Sequence, residues 1–196
     1  MSPDQSESIR SFLAIELSDA LKAEVRSFVE KIKERYPDFR FTQSESWHLT
    51  LHFFGELNTG QIDRLKVRLA PVIQNLSPFI ISLAGFGAFP SFRNPSILWL
   101  GVSTRTDELN VLKLKVDQAL REVHFSIENR AFKPHLTIAR RKSRTSLPSI
   151  SLPADIFSPK AEQEVRHVTL FQSILTPSGA HYRPLCVFPL SAGFPS

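Results

Sequence analysis

Two short stretches of this chain repeat one pattern. Trp47-His48-Leu49-Thr50-Leu51-His52-Phe53-Phe54-Gly55 and Lys133-Pro134-His135-Leu136-Thr137-Ile138-Ala139-Arg140 each carry His-x-Thr inside an alternating apolar run. Alternation of this kind belongs to a half-buried strand, where residues two apart share a face. It places His48 and Thr50 on one face and Leu49 and Leu51 on the other. His135 and Thr137 are set against Leu136 and Ile138 in the same way. Two such strands, side by side or face to face, bring two imidazoles and two hydroxyls to one spot. Groups that titrate near neutrality beside hydroxyl donors suit acid–base work on a phosphate ester.

Spacing alone does not choose the pair. With 6 His and 9 Thr in 196 residues, chance supplies His-x-Thr about 0.3 times. His167-Val168-Thr169 makes a third match, and any single one reads more readily as a strand histidine that packs or meets solvent. The surrounding pattern separates them. Arg10–Leu17 reads as a strand and Ser18-Asp19 as a helix N-cap. Leu21, Val25, Phe28, Val29 and Ile32 recur at helical spacing from Ala20 to about Arg35, where Pro37 ends the helix. The first motif follows, closed by Gly55. Ser96–Val102 reads as a strand, and Leu109, Leu112, Val116 and Leu120 mark a helix over Thr106–Val123. The second motif comes next. The order strand, helix, His-x-Thr strand thus occurs twice, with His48 and His135 in the same place and no such unit before His167.

Between the two units, Thr59 to Asn75 reads as a helix with Ile62, Leu65, Val67, Leu69, Val72 and Ile73 inward and Pro71 shortening or bending it. Phe79–Phe89 reads as a strand in which Gly85 and Gly87 imply a bulge or a close backbone approach. Pro90–Pro95 reads as a turn-rich loop. After the second motif, the basic run Arg141–Arg144 enters a loop reaching about Pro159. Glu164–Leu175 reads as one strand, Thr176–Gly179 as a turn, and His181–Leu190 as a last strand. His52 shares the face of His48 by parity and reads either as a cleft-lining residue or, more readily, as a packing one. Met1–Ser8 and Ser191–Ser196 read as flexible tails.

The formal net charge of +5 is a mild bias toward anionic partners. A single cysteine, Cys186, permits no internal disulfide and no cysteine-based zinc site. The polar N-terminus has no apolar signal core, and Phe12–Leu17 is too short to cross a membrane. The sequence therefore leads us to expect a cytoplasmic protein.

The motifs resemble those of the two-histidine phosphoesterase superfamily, and most closely its RNA 2′,3′-cyclic phosphodiesterases, long called 2′-5′ RNA ligases. The likeness runs from Arg10–Ile15 through Trp47–Leu57, Ile97–Val102 and Phe132–Arg140 to Ser173 and Gly179–Tyr182. It implies a single α+β domain over residues 1–196, bilobal and pseudo-symmetric. Each lobe has an antiparallel sheet with flanking helices and lends one motif strand to a central cleft. The resemblance also implies opening of RNA 2′,3′-cyclic phosphate ends to a 2′-phosphate, with tRNA fragments among the substrates and no metal or cofactor. His48 would be the proton donor and His135 the acceptor, with Thr50 and Thr137 as hydroxyl donors. Run backwards with a 5′-hydroxyl, the same chemistry forms a 2′-5′ linkage. A monomer is expected.

Other residues are less determined. Strict alternation turns Arg140 away from His135, while the resemblance sends it to the phosphate. Phe12 and Phe53 read either as rings for a terminal base or as core. Two other functions remain in view: a related enzyme acting on another cyclic phosphate or on 2′-5′ oligonucleotides, and an RNA-end-binding module without turnover.

Overall fold

The computed structural model describes residues 8–142, 159–176 and 179–191. Two antiparallel sheets organise them. The first contains β1 (Ile9–Glu16), β3 (His48–Leu57), β8 (His167–Thr176) and β9 (Gly179–Pro189), in the order β3-β1-β8-β9. The second contains β2 (Phe39–Phe41), β4 (Phe79–Phe89), β5 (Ile97–Thr104), β6 (His135–Arg141) and β7 (Glu162–Val165), in the order β2-β6-β5-β4-β7. Three helices complete the fold: α1 (Asp19–Ile32), α2 (Thr59–Gln74) and α3 (Glu108–Glu122). The α+β class and paired antiparallel sheets are as expected.

Local chemistry starts the helices where the sequence indicates. The Ser18 hydroxyl accepts the Leu21 N–H at 3.3 Å, capping α1. Asn58 and Gln61 form a reciprocal capping box at α2, with bonds of 2.8 and 2.9 Å. Each apolar stripe then buries against a sheet. Helix α1 follows a strand of the first sheet yet lies on the second. Its Phe28 ring is 5.4 Å from Phe86 of β4, and its Glu24 carboxylate accepts the N–H groups of Lys160 and Ala161 beside β7. Helix α3 follows a strand of the second sheet and packs with α2, which rests on β9 of the first. The crossing of α1 and the contact of α2 with α3 tie the two halves into one core.

Several boundaries differ from the sequence pattern. Helix α1 ends at Ile32 and passes into a 3₁₀ turn over Lys33–Arg35. Helix α2 runs through Pro71 to Gln74, neither shortened nor ended by that proline; Val67 points outward and is exposed. Gly55 does not close its strand: with φ +73° it sits within β3, opposite Ser11, at an irregularity in the pairing with β1. The run from Glu164 to Leu175 is two strands in two sheets. Strand β7 pairs with β4, β8 with β1, and the chain changes sheet at Arg166. The short edge strand β2 has no counterpart in the sequence reading. Met1–Gln5 with Ser6 and Glu7, the loop over 143–158, the turn residues 177–178 and the tail over 192–196 lie outside the described residues. Among the described residues no helix is long and apolar enough to cross a membrane.

Candidate active site

Strands β3 and β6 contact each other across the join of the two sheets. Each begins with its motif histidine, and both histidines are held the same way. His48 Nδ1 lies 2.8 Å from the Ser46 carbonyl, and His135 Nδ1 lies 2.8 Å from the Lys133 carbonyl. A carbonyl only accepts, so each Nδ1 carries the proton and each neutral ring leaves Nε2 as its free base.

Aromatic rings fix both imidazoles. His48 lies 4.6 Å from Phe12 and 5.0 Å, edge-on, from Tyr182. His135 stands 5.0 Å edge-on to Phe89 and 6.1 Å from Trp99. The Trp99 indole lies across Gly87, where any Cβ would come within 2.0 Å of the ring. The Lys133 ammonium covers it at 4.9 Å. Gly87 thus answers to a close approach, as its place in a strand implies.

A shared irregularity shapes the two motif strands. Ala14 pairs with Thr50 and Leu13 with His52, so Leu51 bulges out of the ladder. Trp99 pairs with Thr137 and Leu98 with Ala139, so Ile138 bulges in the same place of the second motif. A bulge adds one residue and reverses parity beyond it. Phe53 and Arg140, each the fifth residue after its histidine, therefore share the face of their His and Thr. The two strands show the same burial sequence, with His48 and His135 half-buried, Thr50 and Thr137 half-buried, and Phe53 and Arg140 exposed.

The structure corrects three sequence expectations, the first two through these bulges. His52 is not on the face of His48; it is buried, with its ring 4.7 Å from Phe54 and its Nδ1 4.0 Å from Asp117 of α3. Arg140 is on the cleft face despite strict alternation. Phe12 is 2% exposed and encased by His48, Phe53, Phe171 and Tyr182, so it supports His48 and presents no open face to a base. Phe53, 62% exposed and 5.9 Å from Phe12, keeps an open face. His167 lies elsewhere on β8, its Nε2 3.6 Å from Glu16.

Electrostatics bind the site together. Burial, opposed by the Ser46 carbonyl and joined by the charges of Arg140 and His135, lowers the His48 pKa to about 4. His135 is lowered for the same leading reason, with Arg140 and Lys133 adding to it. Arg140 therefore lies within electrostatic reach of both rings, and of Tyr182 as well. The hydroxyls of Thr50 and Thr137 have no protein partner among the described residues. Two Nε2 atoms that can take and give a proton, two hydroxyl donors and one guanidinium make a site fitted to a tetrahedral anion.

A hydrogen-bond relay that sequence reasoning missed crosses between the motifs. The buried Trp47 indole N–H donates to Thr42 Oγ1 at 2.9 Å. The Thr42 hydroxyl donates toward the carbonyls of Thr137 and Ile138 at 3.2 and 3.0 Å, and its N–H bonds the Ile138 carbonyl at 2.9 Å. The bulge of the second motif is thus clamped from the residue preceding His48. Thr42→Val leaves the indole N–H without an acceptor, and an expected loss of about 1–3 kcal/mol follows. Denaturant unfolding checks this, with Thr42→Ser expected to recover most of the loss; a Val variant as stable as wild type would dismiss the clamp.

Comparison with known proteins places the chain in a family and matches its fold. The family model of the 2′-5′ RNA ligase superfamily matches residues 17–176. The RNA 2′,3′-cyclic phosphodiesterase of Archaeoglobus fulgidus is 33% identical, over 92% of this chain and 99% of its own. A solved protein of Thermus thermophilus superposes with a TM-score of 0.77 at 25% identity, covering 95% of this chain and 100% of that one. E. coli LigT shares the fold, with a TM-score of 0.76 at 24% identity over 95% of this chain and 99% of its own. By its matched length, its identity to these relatives and its fold, the chain belongs to the 2′-5′ RNA ligase superfamily.

Proposed function

We propose that this protein opens RNA 2′,3′-cyclic phosphate ends to a 2′-phosphate, with His48 and His135 as the acid–base pair. The observation that carries the reading is the paired tautomer: two imidazoles, each tied at Nδ1 to the carbonyl two residues back, each with Nε2 free. The name of the Archaeoglobus relative supports the reaction class.

In this mechanism His135 Nε2 takes a proton from water as the water oxygen bonds to phosphorus. The bond from phosphorus to the 3′-oxygen breaks, and His48 Nε2–H gives that oxygen its proton. The pair ends with its protonation exchanged and resets through solvent. Thr50, Thr137 and Arg140 donate to the non-bridging oxygens, where charge gathers in the transition state. Donor and acceptor are assigned from the family resemblance, since the geometry is close to symmetric. Both rings are neutral in the empty cleft at pH 7; an anionic phosphodiester between them favours the imidazolium and supplies the required acid.

Phe53 offers its open face to the terminal base. A monomer in the cytoplasm, acting on ends such as those of tRNA fragments, is the setting this reading takes. The lone cysteine, which permits no internal disulfide, supports that compartment. Reversal with a 5′-hydroxyl in place of water would form a 2′-5′ linkage.

The test is a short RNA with a 2′,3′-cyclic phosphate end, incubated in EDTA, with the product resolved as 2′- or 3′-phosphate. A 2′-phosphate is expected. Bound RNA with no product would favour an end-binding module, and turnover of other cyclic phosphates or 2′-5′ oligonucleotides alone would favour the related enzyme.

A further inference from the structure

Strand β2 lies against β6 in regular antiparallel register, with Phe39 opposite Arg141, Arg40 opposite Arg140 and Phe41 opposite Ala139. Residues directly opposite point to the same face. Arg140 is on the cleft face, so Arg40 is there too, one strand farther out at the edge of the second sheet. Like charges placed opposite each other destabilise a strand pair. Neither guanidinium has a hydrogen-bond or ion-pair partner among the described residues. The next two cations along the chain are used differently. Arg141 bonds the Pro95 carbonyl and the Asn94 side chain, and the Lys142 ammonium bonds the Pro37 carbonyl at 2.7 Å. Asp38 is the acid nearest in sequence to Arg40. It meets Lys142 through backbone, its carbonyl accepting the Lys142 N–H at 2.9 Å.

The ledge leads out of the catalytic cleft. Thr137, Arg140 and Arg40 follow one another from the motif to the sheet edge, and an unpaired guanidinium at each of the last two steps matches an anion at each. A lone cyclic nucleotide has one phosphate. A chain end has a second, on the 5′ side of its terminal nucleotide.

Resting on the function proposed above, we propose that Arg40 binds the phosphodiester on the 5′ side of the terminal nucleotide while Arg140 holds the reacting phosphate, so that the site selects the end of an RNA chain over a single nucleotide. Arginine suits the task through its fixed fork of donors, which meets phosphate oxygens two at a time.

The experiment compares adenosine 2′,3′-cyclic phosphate with a trinucleotide ending in the same cyclic adenosine. The readout is the ratio of kcat/KM for the trinucleotide to that for the mononucleotide, in wild type, Arg40→Gln, Arg40→Lys and Arg105→Gln. Arg105 is an exposed arginine paired with Glu162 at 2.7 Å and serves as the control for net charge. The ratio is expected to fall roughly tenfold in Arg40→Gln, to recover in part in Arg40→Lys and to hold in Arg105→Gln, as expected for one lost charge-assisted contact. The dependence of log KM on log salt for the trinucleotide should become shallower by about 0.7, one phosphate's worth. An unchanged ratio in Arg40→Gln, an equal fall for both substrates, or the same fall in Arg105→Gln overturns the assignment. If wild type opens neither substrate, the reaction itself is wrong. Arg40 is then judged by anisotropy with a trinucleotide ending in 2′-phosphate: weaker binding in Arg40→Gln sustains the ledge, and equal binding ends it.

Discussion

Alanine at His48 or at His135 is expected to lower kcat for cyclic phosphate opening by about 10²–10⁴, while His167→Ala keeps the wild-type rate. The three histidines begin their strands with the same local sequence pattern, so the contrast tests placement and not residue type. His48 and His135 start adjoining strands from the two sheets and feel the same guanidinium. His167 starts β8, exposed, against Glu16. In the proposed mechanism one ring gives a proton as the other accepts one, so the pair would work as a unit, and the double variant should lose far less than the product of the single losses. Single-turnover rates on a cyclic-ended RNA, with near-ultraviolet circular dichroism to confirm folding, provide the measurement. Comparable loss in all three variants would break the pairing, as would full activity in either His48→Ala or His135→Ala.

What the sequence makes legible here, and what it hides, divides at the two bulges. Up to Leu51 and Ile138 strict alternation is right: His48 with Thr50 and His135 with Thr137 share their faces, and Leu49 and Leu136 are buried. Beyond them it is wrong by one residue, which exchanges the faces of His52 and Phe53 and turns Arg140 inward. Nothing in Leu-His-Phe or Ile-Ala-Arg marks an extra residue, because the bulge is fixed by a partner strand far away in sequence. The Thr42 clamp on the Ile138 carbonyl is one such partner. The same reason hides β2, three residues long and given its strand form by β6. The division of β7 from β8 is also invisible, since apolar alternation continues while the chain leaves one sheet for the other. Helix faces were readable almost throughout, because a helix carries its own period and its caps; Val67 is the exception. The repeat of strand, helix and motif was legible as order. That α1 crosses to the other sheet was not, for contact between halves leaves no local trace.

Arg140→Ala should lower kcat/KM by about 10²–10³, the usual consequence of removing one donor from a developing anion, and should also move the pH profile toward alkali. The sign follows from charge. The guanidinium disfavours a second positive charge on either imidazole and is among the causes that lower both His48 and His135. The proposed mechanism requires one ring protonated and the other neutral in the free enzyme. With His48 near 4 and His135 also below its ordinary value, the bell in kcat/KM should therefore peak on the acid side of about 6.5, the unperturbed histidine value. Taking the guanidinium away lets both rings hold their protons to higher pH, so both limbs shift upward. The kcat profile, which reports the occupied site, should already lie to the alkaline side of the kcat/KM profile, because the bound phosphate favours the imidazolium. Arg140→Lys keeps the charge but loses the fork. It should therefore restore the acid-side limbs more fully than the rate. An Arg140→Ala enzyme with wild-type limbs and a loss below about threefold would return this residue to a solvated arginine at the end of its strand. The bulge at Ile138 would then have no electrostatic consequence for catalysis, and the common geometry of Phe53 and Arg140 would be a matter of packing alone.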